Sequence, residues 1–208
     1  MRYTGSKNKL CRREGINLFW PQKYDIKKNR RLPGQHGANN VRYSEYGKLL
    51  RNKQVLKRIY QLSERQFKKT VIDVAGKSAK SQGVAQDKLA FQFLERRLDV
   101  TILRAGFAHT IMQARQMVTH AHFTLNGTKH NIPSYFVKAG DVVAFKAKLH
   151  NSPLVQTMPL QANGNHVIPS WLKVNKKTLE IEVVDMPNNE EVSAPVDLLQ
   201  VIEFYARA

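Results

Sequence analysis

The stretch TIMQARQMVTHAHFTLNGTK, Thr110 to Lys129, changes its hydrophobic period part-way along, and that change decides the fold. Thr110 followed three residues later by Gln113 has the form of a capping box, with the Thr hydroxyl placed to satisfy a backbone N–H at a helix start. Ala114, Met117 and Val118 then recur at helical spacing, which predicts a helix with that face buried and Arg115 and Gln116 beside it. From Phe123 the period is two. Phe123-Thr124-Leu125 predicts a strand, Asn126-Gly127 a tight hairpin turn because both positions accept positive φ, and Thr128-Lys129 the return. Outward from this stretch, Gly106-Phe107-Ala108-His109 breaks off a preceding helix, and Gly140-Asp141 is a second turn before the strand Val142 to Phe145. Residues 91–150 therefore read as two helices followed by a small bent antiparallel sheet, and the fold class as α+β.

Upstream the pattern is helical. Ser44 can cap a helix with Leu49, Leu56, Ile59 and Tyr60 on one face and Arg51, Lys53, Lys57 and Arg58 on the other. Ser63 and Gln66 form another capping box, opening a helix with Phe67, Val71 and Val74 inward. Gly76 to Gln86 is small and polar and reads as a connection; Asp87 can cap a third helix with Leu89, Phe93 and Leu94 apolar and Arg96 and Arg97 outside the stripe. Residues 1–43 show no sustained period. They are rich in charge and glycine and read as an extended basic arm that orders against a charged partner, with Phe19, Trp20 and Tyr24 available to stack or anchor. Downstream, 151–164 reads as a connection. Trp171 to Val174 and Thr178 to Val183 read as a hairpin, followed by an acidic loop with Pro187 and Pro195 and an apolar end, Leu198 to Tyr205.

The charge is graded along the chain. Its 208 residues carry 34 Lys and Arg against 16 Asp and Glu, a net +18. Residues 1–70 hold +15, residues 71–150 hold +6, and residues 151–208 hold −3. A surface charged only for solubility would mix signs; one third of a molecule this basic attracts a polyanion, and nucleic acid is the leading partner. A membrane is disfavoured: no basic amphipathic helix with an exposed aromatic face is evident, no run nears the roughly 20 apolar residues of a span, and Met1 to Gly5 lacks a signal peptide's apolar core. A soluble cytoplasmic protein is expected. Cys11 is the only cysteine, so neither an intramolecular disulfide nor a multi-cysteine zinc site can form within the chain.

RNA binding would draw on the arm residues Arg2, Lys7, Arg12 and Arg13, on Arg42, and on Arg51, Lys53, Lys57, Arg58 and Arg65, whose alternative is a solvated helix face. Arg97, Arg104, Arg115 and His120 are candidates with an equally open alternative, carboxylate pairing or helix packing. Gln35, His36 and Gly37 could bring backbone and imidazole to a phosphate, or form a turn held by its own side chains. His120 and His122 have no Asp, Glu or Cys within a few residues, so no metal is expected. No nucleophile stands with a base and no glycine loop cradles phosphate; no enzyme, cofactor or small-molecule substrate is expected.

Arg12-Arg13-Glu14-Gly15, Pro33-Gly34-Gln35-His36-Gly37, Tyr46-Gly47, Arg58-Ile59-Tyr60, Glu64-Arg65-Gln66-Phe67, the segment Leu94 to Gly127, and the ending Val201-Ile202-Glu203-Phe204-Tyr205 together resemble the ribosomal protein four (uS4) family of the bacterial small subunit, in the family's order over nearly the whole chain. The resemblance implies a primary binder of the 5′ domain of 16S rRNA that helps begin assembly of the 30S subunit. It also implies a neighbouring ribosomal protein five at an interface linked to decoding accuracy, and, with proteins three and five, a place along the channel by which mRNA enters. It implies an extended arm over 1–43, a helical domain over 44–90 completed by 165–208, and an S4-type RNA-binding module over 91–150. Two positions depart from it. Some members hold zinc with four cysteines near the amino terminus; here Cys11 matches one place and Asn8 stands in its partner's. Asn39 and Asn40 replace basic residues that in well-known members help unwind mRNA, leaving Arg42. The alternatives are an RNA-modifying enzyme carrying the same module, such as a pseudouridine synthase, against which only 58 residues follow position 150, and a free RNA chaperone or translational repressor.

Overall fold

The computed structural model describes residues 3–19, 31–38, 42–160, 167–188 and 196–207. The first helix, α1 (Lys7–Glu14), lies in the segment expected to be extended, and ends on Gly15 in the left-handed conformation. Its single buried residue, Cys11, packs with Leu18 and with Val55 of the next helix. The arm thus orders partly on the protein itself, through an apolar contact too sparse to register as a period. Trp20, Tyr24, Asn39 and Asn40 lie outside the described residues.

Helix α2 (Glu45–Ile59) begins where Ser44 accepts the Gly47 N–H, and α3 (Glu64–Lys68) where Ser63 accepts that of Gln66. The region expected to be a connection is helix. After α3 the chain widens into a π turn (Lys69–Val74) and continues as α4 (Ala75–Gln82), stopping at Gly83 with φ +65°. Phe67, Val71 and Ala75 are all fully buried. Residues spaced by four drift about 40° per step on a regular α-helix, and the wider π turn takes up that drift. Helix α5 (Gln86–Glu95) starts one residue before the expected cap, so Asp87 sits inside the first turn near the helix's positive end. The Gln86 side-chain amide donates to the Val71 carbonyl in the π turn.

Helices α6 (Leu98–Arg104) and α7 (Ile111–Thr119) follow, then strands β1 (Phe123–Leu125), β2 (Thr128–Lys129) and β3 (Val142–Phe145), as the change of period predicts. Thr110 accepts the Gln113 N–H, and Asn126 and Gly127 both have positive φ. The carboxyl-terminal third departs from expectation. The hairpin of β4 (Leu172–Asn175) and β5 (Glu180–Val183) joins the module rather than the helical domain: β5 pairs antiparallel with β3, Val143 opposite Ile181, in a five-stranded sheet ordered β2-β1-β3-β5-β4. Nor is 151–164 merely a connection, because Val155 of the short α8 (Pro153–Gln156) and Met158 and Leu160 beyond it are buried and complete the same core. That core sets α6 and α7 on one sheet face through Ile102, Phe107, Met117, Phe123, Phe145 and Ile181, with the rings of Phe107, Phe123 and Phe145 edge to face.

Among the described residues of this third, it is α9 (Leu198–Arg207), with Val196 just before it, that returns to the helices. Leu198, Val201 and Phe204, three apart, form its buried stripe, each worth roughly 1.5–3 kcal/mol. Leu198 and Val201 share a cluster with Leu56, Phe67, Val71 and Leu94, and with Val100 and Ile111 of the module. Within the described residues no helix is long and apolar enough to cross a membrane.

Candidate nucleic-acid interface

Beside α1 lies the turn that carries His36. Leu32 N–H donates to the Gly37 carbonyl at 3.1 Å, and Gly37 N–H to that of Gly34 at 3.2 Å. A Cβ on Gly37 would stand 1.9 Å from the Leu32 carbonyl oxygen, so the turn closes only on glycine. From α1, Arg12 Nε donates to the Arg31 carbonyl at 3.0 Å, fixing the turn to the helix. Gln35 and His36 are exposed and have no side-chain partner among the described residues. Backbone and Arg12 hold this turn, rather than its own side chains, and its polar tips face outward.

The α2 cations occupy two seams. Glu14, its side chain 1% exposed, receives Arg51 and Arg58 and ties α1 to α2. Glu64 receives Lys53 at 2.6 Å and Lys57 at 2.8 Å, and Tyr205 of α9 donates to it at 2.7 Å. Lys53 is buried, its ammonium 4.6 Å from the centre of the Phe204 ring. Burial works to raise the Glu64 pKa, but hydrogen bonds from Lys53, Lys57 and Tyr205 outweigh it and hold the carboxyl at about 2. Neither a purely solvated face nor a free phosphate-binding face describes Arg51, Lys53, Lys57 and Arg58.

Arg97, Arg104 and Arg115 point into the molecule. Arg97 is buried and grips Asp99 through two nitrogens at 3.1 and 3.2 Å. Arg115 Nε reaches the same carboxylate at 2.8 Å, and its other nitrogens donate to the carbonyls of Gln61 and Tyr60 beyond α2. Arg104 takes the buried Glu95 with two bonds of 2.9 Å, and the Tyr60 hydroxyl donates to the same group at 2.6 Å. Burial pushes the Tyr60 pKa well up, with the Glu95 charge adding to it. Of the two readings open for these arginines, the structure realises carboxylate pairing: Arg97 is buried with Asp99, and the partly exposed Arg104 and Arg115 hold the buried Glu95 and Asp99, which must keep their cations.

His120 is exposed at the end of α7, its ring 5.9 Å from that of His122, and no group of three or more potential metal ligands occurs among the described residues. Burial, followed by His120 and Lys146, lowers the His122 pKa.

Small ribosomal subunit proteins of the uS4 group match the chain along its length: that of Alkaliphilus metalliredigens is 41% identical, that of Symbiobacterium thermophilum 40% and that of Petrotoga mobilis 39%, each over 99% of both chains. The chain belongs to the uS4 family of small ribosomal subunit proteins. Residues 2–95 match the family described as the ribosomal protein S4/S9 N-terminal domain, and residues 96–143 the S4 domain.

The two regions matched to the uS4 family meet between Glu95 and Arg96, where the interior arginine network sits. Arg104 and Arg115 of the S4 domain reach Glu95, Tyr60 and Gln61 on the other side of that boundary. Their task is to fix one region against the other.

Among the described residues, cations free of carboxylate partners lie elsewhere. Arg13 of α1 and Arg42 ahead of α2 are exposed, and Arg65, Lys68, Lys69, Lys77 and Lys80 are exposed along the continuous helix from α3 to α4. Sequence reading singled out Arg65, passed over Lys68 and Lys69 on the same expected helix, and missed Lys77 and Lys80 because 76–86 reads as a connection. Their signal was present: Lys77 and Lys80 stand three apart, hence on one face of any helix there. Arg2 lies outside the described residues. Lys7 is half-buried, its ammonium 5.5 Å from the centre of the Phe19 ring.

Proposed function

We propose that the chain is a structural component of the 30S subunit in the bacterial cytoplasm, binding the 5′ domain of 16S rRNA directly and helping to begin subunit assembly. The observation that carries this reading is full-length similarity to proteins named for the small ribosomal subunit, joined to a net charge of +18. In this reading Arg13, Arg42, Arg65, Lys68, Lys69, Lys77 and Lys80 contact phosphates and set position. Gln35, His36 and Lys7 meet RNA beside α1, His120 meets it at the end of α7, and Arg12 and Gly37 shape the turn. Arg51, Lys53, Lys57 and Arg58 hold the helices that carry the contacts. Ribosomal protein five, at an interface that bears on decoding accuracy, protein three and incoming mRNA are the further partners that the family resemblance supports, with Arg42 the described residue nearest to the mRNA role.

Filter binding of the purified chain to a 16S 5′-domain transcript tests this. Tight binding that falls steeply with salt, with a shuffled RNA of equal length bound far more weakly, is expected. Equal affinity for the two RNAs would contradict it.

A further inference from the structure

A cleft of about 530 Å³ opens where the amino-terminal segment, α2, the α2–α3 turn and α7 meet. Its size suits one small ligand or one nucleotide. Tyr3, 52% exposed, brings its ring to one wall, and Phe19 stands under the Lys7 ammonium at another. Two side-chain amides, Gln54 and Gln61, line the cleft, and neither has a side-chain partner among the described residues. Lys57 and Arg58 stand at the same cleft, each steadied by a carboxylate. Met112 of α7 brings the S4 domain to the wall.

Aromatic rings, unpaired amides and steadied cations in one cleft match the three parts of a nucleotide: a flat base to stack, base edges with donors and acceptors, and a phosphate. The geometry points to a pocket for a single unpaired nucleotide extruded from an RNA stem, with Tyr3 stacking the base, Gln54 and Gln61 reading its edge, and Lys7 facing the phosphate. An apolar peptide side chain would leave the two amides and the Lys7 ammonium without a polar partner, which makes RNA the better occupant. Such a nucleotide would touch both matched regions at once, turning bound RNA into a further tie between them. This inference rests on the RNA-binding reading and adds where an unpaired base is held.

The test uses the full chain and two RNA hairpins identical except for one unpaired 2-aminopurine bulged from the stem. Stacking and edge bonding predict that the bulged hairpin binds at least about 5-fold tighter and that its fluorescence is quenched on binding. Tyr3→Ser and Gln54→Leu are each expected to bring the ratio of affinities close to one, with affinity for the paired hairpin within about 2-fold of the parent. Thermal melting followed by circular dichroism identifies a variant that fails to fold, and the exposed Tyr3 position then decides alone. Equal affinity for both hairpins without quenching overturns the pocket. So does a preference that survives in the folded variants. Binding of both hairpins with steep salt dependence but no preference sinks the pocket and leaves the RNA reading standing; binding of neither removes both.

Discussion

Asp99 is fully buried and receives two guanidinium groups, Arg97 from its own helix start and Arg115 from α7. Two cations on one carboxylate far from water would gain little over an apolar contact in stability alone, but removing the anion strands both. Asp99→Ala is therefore expected to destabilise the protein by about 3–5 kcal/mol in urea or thermal unfolding, well above the cost of an exposed pair such as Lys48 with Glu45. A loss under about 1 kcal/mol would show that the network is not anchored there. The identities of Arg97, Asp99 and Arg115 are plain in the sequence, but their pairing is not: Arg97 and Asp99 are neighbours, whereas Arg115 is 16 residues on and reaches back 54 to Gln61. Carboxylate pairing is one of two readings open for these arginines in the sequence, and only the fold says which carboxylate each one meets.

Helix α9 is joined to the helical domain by its apolar stripe, by a hydrogen bond from the Asn52 amide to the Gln200 side chain, and by a polar latch, Glu64 with Lys53, Lys57 and Tyr205. Since the folded Glu64 pKa, at about 2, lies below its ordinary value of 4.5, the latch contributes fully above pH 4.5. That contribution is lost as pH falls from 4.5 towards 2, because the unfolded chain takes up the proton first. The carboxylate is 44% exposed, so solvent screening keeps the effect modest. Unfolding midpoints measured from pH 7 to pH 2.5 should fall less steeply on the acid side in Glu64→Gln than in the parent; parallel profiles would contradict the latch.

The same arrangement separates two kinds of lysine. Replacing Lys53, Lys57 and Arg58 together by Ala strips cations from Glu64 and Glu14 and is expected to lower the melting temperature. Replacing Lys68, Lys69, Lys77 and Lys80 should leave it nearly unchanged and reduce the salt slope of RNA binding by about 1 for each phosphate no longer neutralised. A quadruple variant with the parent's salt slope would remove α3 and α4 from the interface. Helix α4 also marks a limit of sequence reading. Ala75 to Gln82 is small and polar because only Ala75 is buried there, and a helix with so narrow an inward face does not announce its period. The capping boxes at Ser63 and Thr110 and the Asn126-Gly127 turn were legible because each is a local chemical requirement. The pairing of β5 with β3 was not, since its registers join residues about 40 apart through matching alternation alone.

At the scale of the whole molecule, the charge gradient acquires a physical division of labour. Of the 19 basic side chains in residues 1–70, four are engaged internally, since Glu14 and Glu64 hold four α2 cations between the elements, while Arg13, Arg42 and the cations of α3 and α4 remain outside. Net charge pointed to a polyanion, but only the fold separates cations that build the protein from cations that can meet phosphate. The −3 of residues 151–208 comes from the stretch between the last hairpin and α9: Asp185, Glu190, Glu191 and Asp197 carry four negative charges there, while residues 172–183 are at +1 and α9 is neutral. What the sequence could not supply was docking: which carboxylate each cation meets, and which sheet the last hairpin joins.

The central claim, membership of the 30S particle through direct rRNA binding, is tested most directly by sedimentation. A tagged chain expressed in a bacterium should migrate through a sucrose gradient with the 30S subunit and with assembled ribosomes, and should stay with the subunit when loosely bound proteins are washed away with salt. A chain that remains wholly at the top of the gradient would contradict the account.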